Sequence, residues 1–178
     1  MIDHMTMVRR YGDDDVADLL LARAPAAHRL AAWILRDPVG AEDAVQEAAL
    51  IAWKRRGSLR NAESADGWFS KIVVNVCRDE LRRRARKREL LAPEPVDEPG
   101  SDRPAQLAQR DELGRAIGRL TPDQQVVLGL RFGRDLTVPQ IAAETGLPEG
   151  TVKSRLHHSL EQLRAAMAAE HRAEEQIR

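Results

Sequence analysis

The feature that most limits how this chain can fold is a break in its middle. Residues 91–104 read LAPEPVDEPGSDRP and contain Pro93, Pro95, Pro99, Pro104 and Gly100. Proline lacks the backbone donor that helices and sheets require, and it restricts the residue before it. The segment is also acidic and almost free of large apolar side chains, so it has little to bury in a core. It predicts a linker over 89–104 that separates an N-terminal half, 10–88, from a C-terminal half, 105–170. Each half has the size of a small domain.

Both halves carry helical patterns. Aromatic residues make up only 3% of a chain that is 43% hydrophobic. A core of Ala, Leu and Val suits closely packed helices better than a β-sandwich, so the expected fold is all-α. Asp15–Arg36 carries Val16, Leu19, Leu20, Ala26, Leu30, Trp33 and Ile34 on one or two helices. Asp37-Pro38 supplies an N-cap and a first-turn proline for a helix to about Lys54. In that helix Ala41, Ala44, Val45, Ala48, Ile51 and Ala52 recur at three- and four-residue spacing. Residues 55–67 are loop-like, and Ser64 is placed to cap the next helix, about 65–86. Trp68, Ile72 and Val76 share one face of it. Lys71, Asn75, Arg78, Arg82 and Arg86 form a second stripe about 100° around.

The C-terminal half is more sharply punctuated. Thr121-Pro122-Asp123-Gln124 is a capping box that opens a helix with Val126, Val127, Leu128, Leu130 and Phe132, which Gly133 can end. Thr137-Val138-Pro139-Gln140 is a second capping box and opens a short helix to Thr145. Gly146 suits a left-handed turn, and a longer helix follows Leu147-Pro148 to about Ala169. Short helix, glycine turn and longer helix make a helix-turn-helix pattern. On the last helix Val152, Leu156, Leu160 and Leu163 form the apolar stripe. Thr151, Ser154 and His158 lie opposite, flanked by Lys153 and Arg155. Small hydrogen-bonding side chains between cations suit a helix in a DNA major groove. A plain helical hairpin with a solvated outer face is the structural alternative.

Charge separates along the chain. The formal net charge is zero, yet residues 71–88 carry eight Lys/Arg against Asp79 and Glu80. Residues 89–112 then carry seven Asp/Glu against Arg103 and Arg110. A basic block continuing an amphipathic helix suits phosphate, although a solvated face accounts for the same composition. No apolar run is long enough to cross a membrane, and the N-terminus lacks a signal-peptide core. A cytoplasmic protein is expected. The single cysteine, Cys77, excludes an internal disulfide framework and a cysteine zinc site. There is no phosphate-binding glycine loop, HExxH or Cys/His nucleophile pattern. Adjacent His157 and His158 point about 100° apart on a helix, which is poor metal geometry. Neither an enzyme nor a cofactor is expected.

Two stretches resemble a known family. DPVGAEDAVQEAALIAW (37–53) with GWFSKIVVNVCRDELRRRARK (67–87) is similar to region 2 of the small extracytoplasmic-function (ECF) sigma factors of RNA polymerase. LTPDQQVVLGLRFGRDLTVPQIAAETGLPEGTVKSRLHHSLEQLR (120–164) is similar to their region 4, and GLPEGTVKSRL is the most specific segment. The resemblance implies a subunit that joins core RNA polymerase and selects promoters. It places Asp43, Gln46 and Glu47 on the clamp helices of the polymerase's largest subunit, with a further contact to the flap. It assigns the 55–67 loop, Asn75, Arg78 and Arg82 to the -10 element, and Thr151, Lys153, Ser154, Arg155 and His158 to the -35 element. It also implies an anti-sigma factor as regulator. The sequence departs from the family pattern at Ala49, where a larger side chain is usual, and at His157-His158, where Arg or Lys-Ala is usual. The rival readings are a stand-alone helix-turn-helix regulator, which leaves the N-terminal half without a purpose, and a helical adaptor, which leaves the basic stripes unexplained.

Overall fold

A computed structural model describes residues 13–59, 65–90 and 105–177. Among the described residues there are seven α-helices and no strand. They are α1 (Asp13–Leu35), α2 (Pro38–Lys54), α3 (Ala65–Leu90), α4 (Ala105–Gly118), α5 (Pro122–Leu128), α6 (Val138–Thr145) and α7 (Glu149–Ile177). The chain forms two compact units, residues 1–77 and 78–178, and the division falls inside α3.

In the first unit α1 packs along α2. Sequence periodicity allows one helix or two before Asp37, because Pro25 interrupts the pattern. The structure has one, with Pro25 exposed inside it. Val16 and Leu19 before the proline, and Ala27, Leu30, Ala31, Ile34 and Leu35 after it, are all buried. Each large apolar side chain so buried contributes about 1.5–3 kcal/mol, enough together to offset the roughly 3 kcal/mol that an interior proline costs. Ala26 faces outward and Ala27 takes its expected place in the core. Asp37 caps α2 as expected, its carboxylate accepting from the Val39 backbone N–H at 3.1 Å. Ala41, Ala44, Ala48 and Ala52 are the buried face of α2, so a small-residue stripe lets the two helices approach closely. Leu59, Leu19 and Ala65 form a further cluster with Leu20 and Trp68 against it. An Arg23–Asp66 ion pair joins α1 to the start of α3.

Helix α3 continues four residues past Arg86, to Leu90. Its end is built of strong helix formers, with Lys87 and Arg88 in the last turn complementing the helix dipole. Ser64 and the proline-rich segment 91–104 lie outside the described residues.

The second unit holds α4 to α7. Val126, Val127, Leu128, Leu130, Ile141 and Val152 are fully buried apolar side chains of this unit, and α7 packs on α4, α5 and α6. Both capping boxes form. Thr121 and Gln124 bond reciprocally, as do Thr137 and Gln140. Helix α5 does not simply stop at Gly133. It widens after Leu128 into a π-helical turn over Gly129–Gly133, which keeps Leu130 buried and leaves Phe132 exposed. The turn is closed by the Leu136 N–H donating to the Leu130 carbonyl at 3.1 Å. Helix α7 runs past Ala169 to Ile177, since its last turns are rich in Ala, Glu and Arg and contain no breaker.

Candidate nucleic-acid interface

Local chemistry positions the outer helix. The capping box fixes the start of α6, with the Thr137 N–H donating to Gln140 Oε1 at 2.8 Å. Gly146 ends α6 with φ +73°, the left-handed conformation that glycine adopts without strain. The chain then turns directly into α7, whose buried side is anchored by Val152 and Leu163. Leu156 and Leu160 are half-buried. Ser159, a polar residue among these, is fully buried, and its hydroxyl donates to the Arg155 carbonyl at 2.6 Å. That bond satisfies a hydroxyl which would otherwise be costly to bury.

The opposite side of α7 is open. Lys153, Ser154 and His158 are exposed and Thr151 is half-buried. His158 Nδ1 lies 2.9 Å from the Ser154 carbonyl and 3.3 Å from its hydroxyl. A carbonyl only accepts, so this bond requires the proton on Nδ1. His157 Nε2 is 3.3 Å from Glu161, so the two imidazoles have separate partners. Among the described residues no group of His, Cys, Asp and Glu could hold a metal ion.

Not every expected cation stands on an open surface. Arg155 is half-buried, and its Nη1 lies 3.4 Å from Asp123 Oδ2. The other carboxylate oxygen, Oδ1, is 3.2 Å from Arg78 Nε and 3.4 Å from Arg82 Nη2. Three side chains assigned to DNA from sequence thus meet at one carboxylate within the second unit. Sequence reading treats Asp123 only as part of a capping box, and nothing along the chain announces its convergence with Arg78, Arg82 and Arg155. Elsewhere on α3, Lys71, Asn75 and Arg86 are exposed. Glu80 receives Arg84 Nε at 2.6 Å and pairs with Arg83. Burial alone would push the Glu80 carboxyl up, but the hydrogen bonds and charges of Arg84 and Arg83 outweigh it and hold the carboxyl below the usual glutamate value.

On α2, Asp43, Gln46 and Glu47 are exposed, opposite the buried alanines. Gln46 Nε2 donates to Glu42 Oε1 at 3.5 Å. Val39 and Leu50 are exposed on the same face, since Val39, Asp43, Gln46 and Leu50 fall within about 60° of one another around the helix. Sequence reading missed this apolar pair, although its spacing was available. Ala49 is half-buried. In the loop after α2 the Arg56 guanidinium lies 5.1 Å from the Trp53 ring centroid, and Trp68 Nε1 donates to Ser58 Oγ at 3.0 Å. Residues 60–64 of that loop are outside the described residues. No helix among the described residues is long and apolar enough to cross a membrane.

Two family models match: Sigma-70 region 2 over residues 19–87 and Sigma-70, region 4 over residues 116–165. ECF RNA polymerase sigma factor SigM of Mycobacterium tuberculosis is 37% identical over 128 residues, covering 72% of this chain and 64% of that protein. The chain therefore spans slightly under two thirds of SigM. RNA polymerase sigma-E factor of Streptomyces coelicolor is 32% identical over 148 residues, covering 83% of this chain and 82% of the relative. Among solved structures, the sigma factor RpoE in complex with the anti-sigma factor NepR, from Bartonella quintana, superposes with a TM-score of 0.62 at 23% identity, covering 87% of this chain and 98% of the other. That likeness is one of fold. Helix α6 and the first part of α7 fall inside the region 4 match, α2 and most of α3 fall inside the region 2 match, and sequence identity to named relatives spans both. On these grounds the chain belongs to the ECF RNA polymerase sigma factors.

Proposed function

We propose that this chain joins core RNA polymerase and directs it to a set of promoters. The observation that carries the reading is the outer face of α7, where Lys153, Ser154 and His158 are exposed behind a glycine turn. That face suits the major groove of the -35 element: Thr151 and Ser154 reach base edges, and Lys153, Arg155 and His158 reach the backbone. Asn75, Arg78 and Arg82 serve the -10 element. The exposed face of α2, Asp43, Gln46 and Glu47 with Val39 and Leu50, docks on the clamp helices of the polymerase's largest subunit. The C-terminal region adds the flap contact. The functional modules are 10–88 and 105–170, joined by the acidic linker 89–104. The role is non-catalytic, is exercised in the cytoplasm and uses no cofactor. Control by an anti-sigma factor is the matching regulation, by analogy with the RpoE–NepR complex.

Affinity capture of core polymerase tests the docking face. Asp43→Lys with Glu47→Lys reverses two charges on an exposed surface and leaves the alanine core untouched. The pair is expected to lower retention of core polymerase at least tenfold without changing the melting temperature by more than a degree or two. Undiminished capture would remove α2 from the polymerase contact.

A further inference from the structure

His158 is one of the departures from the family pattern, and its hydrogen bonding decides what it can offer to DNA. Its Nδ1 lies 2.9 Å from the Ser154 carbonyl, which only accepts, so Nδ1 carries a proton and donates it there. The Ser154 hydroxyl, 3.3 Å from the same nitrogen, therefore keeps its own proton for another acceptor. The ring's other contact among the described residues is edge-on with His157, the centroids 5.7 Å apart. Nε2 has no hydrogen-bond partner among those residues. In a neutral imidazole a proton on Nδ1 leaves Nε2 an acceptor. Phosphate oxygens also only accept, so the neutral ring has no proton to give the DNA backbone. At about 100° per residue, His158 lies between Thr151 and Ser154 around α7, about 20° from one and 40° from the other. Lys153 is about 140° away, and Arg155, on the other side, is half-buried beside Asp123. His158 thus stands at the centre of the open face, with the residues read as meeting base edges.

We infer that His158 reads a base: its Nε2 accepts from an amino group and so selects adenine or cytosine over guanine or thymine at one strand position of the -35 element. The inference rests on the reading of α7 as the -35 helix, and it moves His158 from the backbone contacts to the base contacts. In the major groove adenine N6 and cytosine N4 donate, whereas guanine O6 and thymine O4 accept. Every base pair carries one amino and one carbonyl edge there, on opposite strands. An acceptor on the protein therefore reads which strand bears the amino group. A base carbonyl in that place would face Nε2 lone pair to lone pair and leave both unsatisfied. Ser154 is the complementary probe, a hydroxyl free to donate. The two side chains are four residues apart, about 6 Å along the helix. That exceeds the ~3.4 Å spacing of bases, so they meet different base pairs. An arginine at this position only donates and would read guanine instead. The tautomer fixed by the Ser154 carbonyl thus gives this chain a -35 preference that an arginine could not.

The test uses the full-length chain on core RNA polymerase and a promoter mapped by run-off transcription. Each -35 position is carried through all four bases, and binding is followed by fluorescence anisotropy at pH 8, where imidazole side chains are ordinarily neutral. At one position the parent is expected to favour adenine or cytosine about tenfold over guanine and thymine. His158→Ala, a change on an exposed side chain, should flatten that position to within about twofold and leave the others as they were. His158→Arg should turn the preference there to guanine. Replacing the favoured base by its analogue with hydrogen in place of the amino group should cost the parent about the same tenfold and the alanine variant nothing. An effect of His158→Ala that is equal on every sequence, or no effect, would overturn the inference and leave the -35 reading standing. A guanine preference in the parent that His158→Ala removes would show a donating ring and overturn it likewise. No chain-dependent start site, or no base preference at any -35 position, overturns the -35 reading and this inference with it.

Discussion

Lys153 and Ser154 are neighbours in sequence on the open side of α7, and they carry different expectations. A lysine facing a phosphate adds affinity without reading sequence. Lys153→Ala is therefore expected to weaken promoter binding by the polymerase-bound chain to a similar degree on every sequence, and to lower the salt slope by about one charge. Ser154→Ala should instead relax base preference at one position of the -35 element. A binding series over single-base variants distinguishes the two. Uniform effects from both would mean that this face touches only backbone. Glu80 bears on acid stability. Its carboxyl is held below the ordinary value by Arg84 and Arg83, against the effect of burial. A lowered folded pKa contributes stability that is present above the ordinary glutamate value and lost as pH falls through the folded one. Glu80→Gln should thus be less stable than the parent near neutrality, with the gap closing below the ordinary value in thermal melts taken from pH 7 to pH 3. A gap that stays constant with pH would show that the carboxylate charge is immaterial.

At the scale of elements, the turn between α6 and α7 is the most exposed to a single change. Gly146 has φ +73° and open space where a Cβ would stand, so only backbone strain opposes a side chain there. Gly146→Ala is expected to cost about 1–2 kcal/mol in chemical denaturation, and Gly146→Asn less. An unchanged midpoint for alanine would contradict the left-handed turn. This turn was legible in sequence because its determinants are local: a capping box at Thr137, a glycine at 146 and an apolar stripe from Val152. The Asp37-Pro38 start of α2 was legible for the same reason. Helix α4 was not, although Gly118 stands at its end, because its buried Ala116 and Ile117 acquire meaning only against the rest of the second unit. The π-helical turn at Gly129–Gly133 was equally hidden, because the register shift follows from packing Leu130 inward while Phe132 stays out. Pro25 misleads in the other direction, as packing on both sides of it overrides its local preference.

For the whole molecule, a net charge of zero conceals a basic helix end and an acidic middle. Charge order along the chain was readable, whereas the boundary between the two compact units, inside α3 at residues 77 and 78, is marked by no break in the sequence. What the chain does with its charges in three dimensions was not readable either. Asp123 lies 41 residues from Arg82 along the chain and 3.4 Å from it in space, and no periodicity spans that interval. The candidate site was therefore legible as a set of residues and not as an arrangement. Lys153, Ser154 and His158 stand open, while Arg78, Arg82 and Arg155 are gathered on one acid. The central claim is that these surfaces select promoters for RNA polymerase, and run-off transcription on fragmented genomic DNA, with core polymerase and with or without the purified chain, tests it most directly. New discrete start sites that depend on the chain and share -10 and -35 motifs are the predicted result. Identical transcripts with and without the chain, under conditions where core polymerase retains it, would contradict the claim.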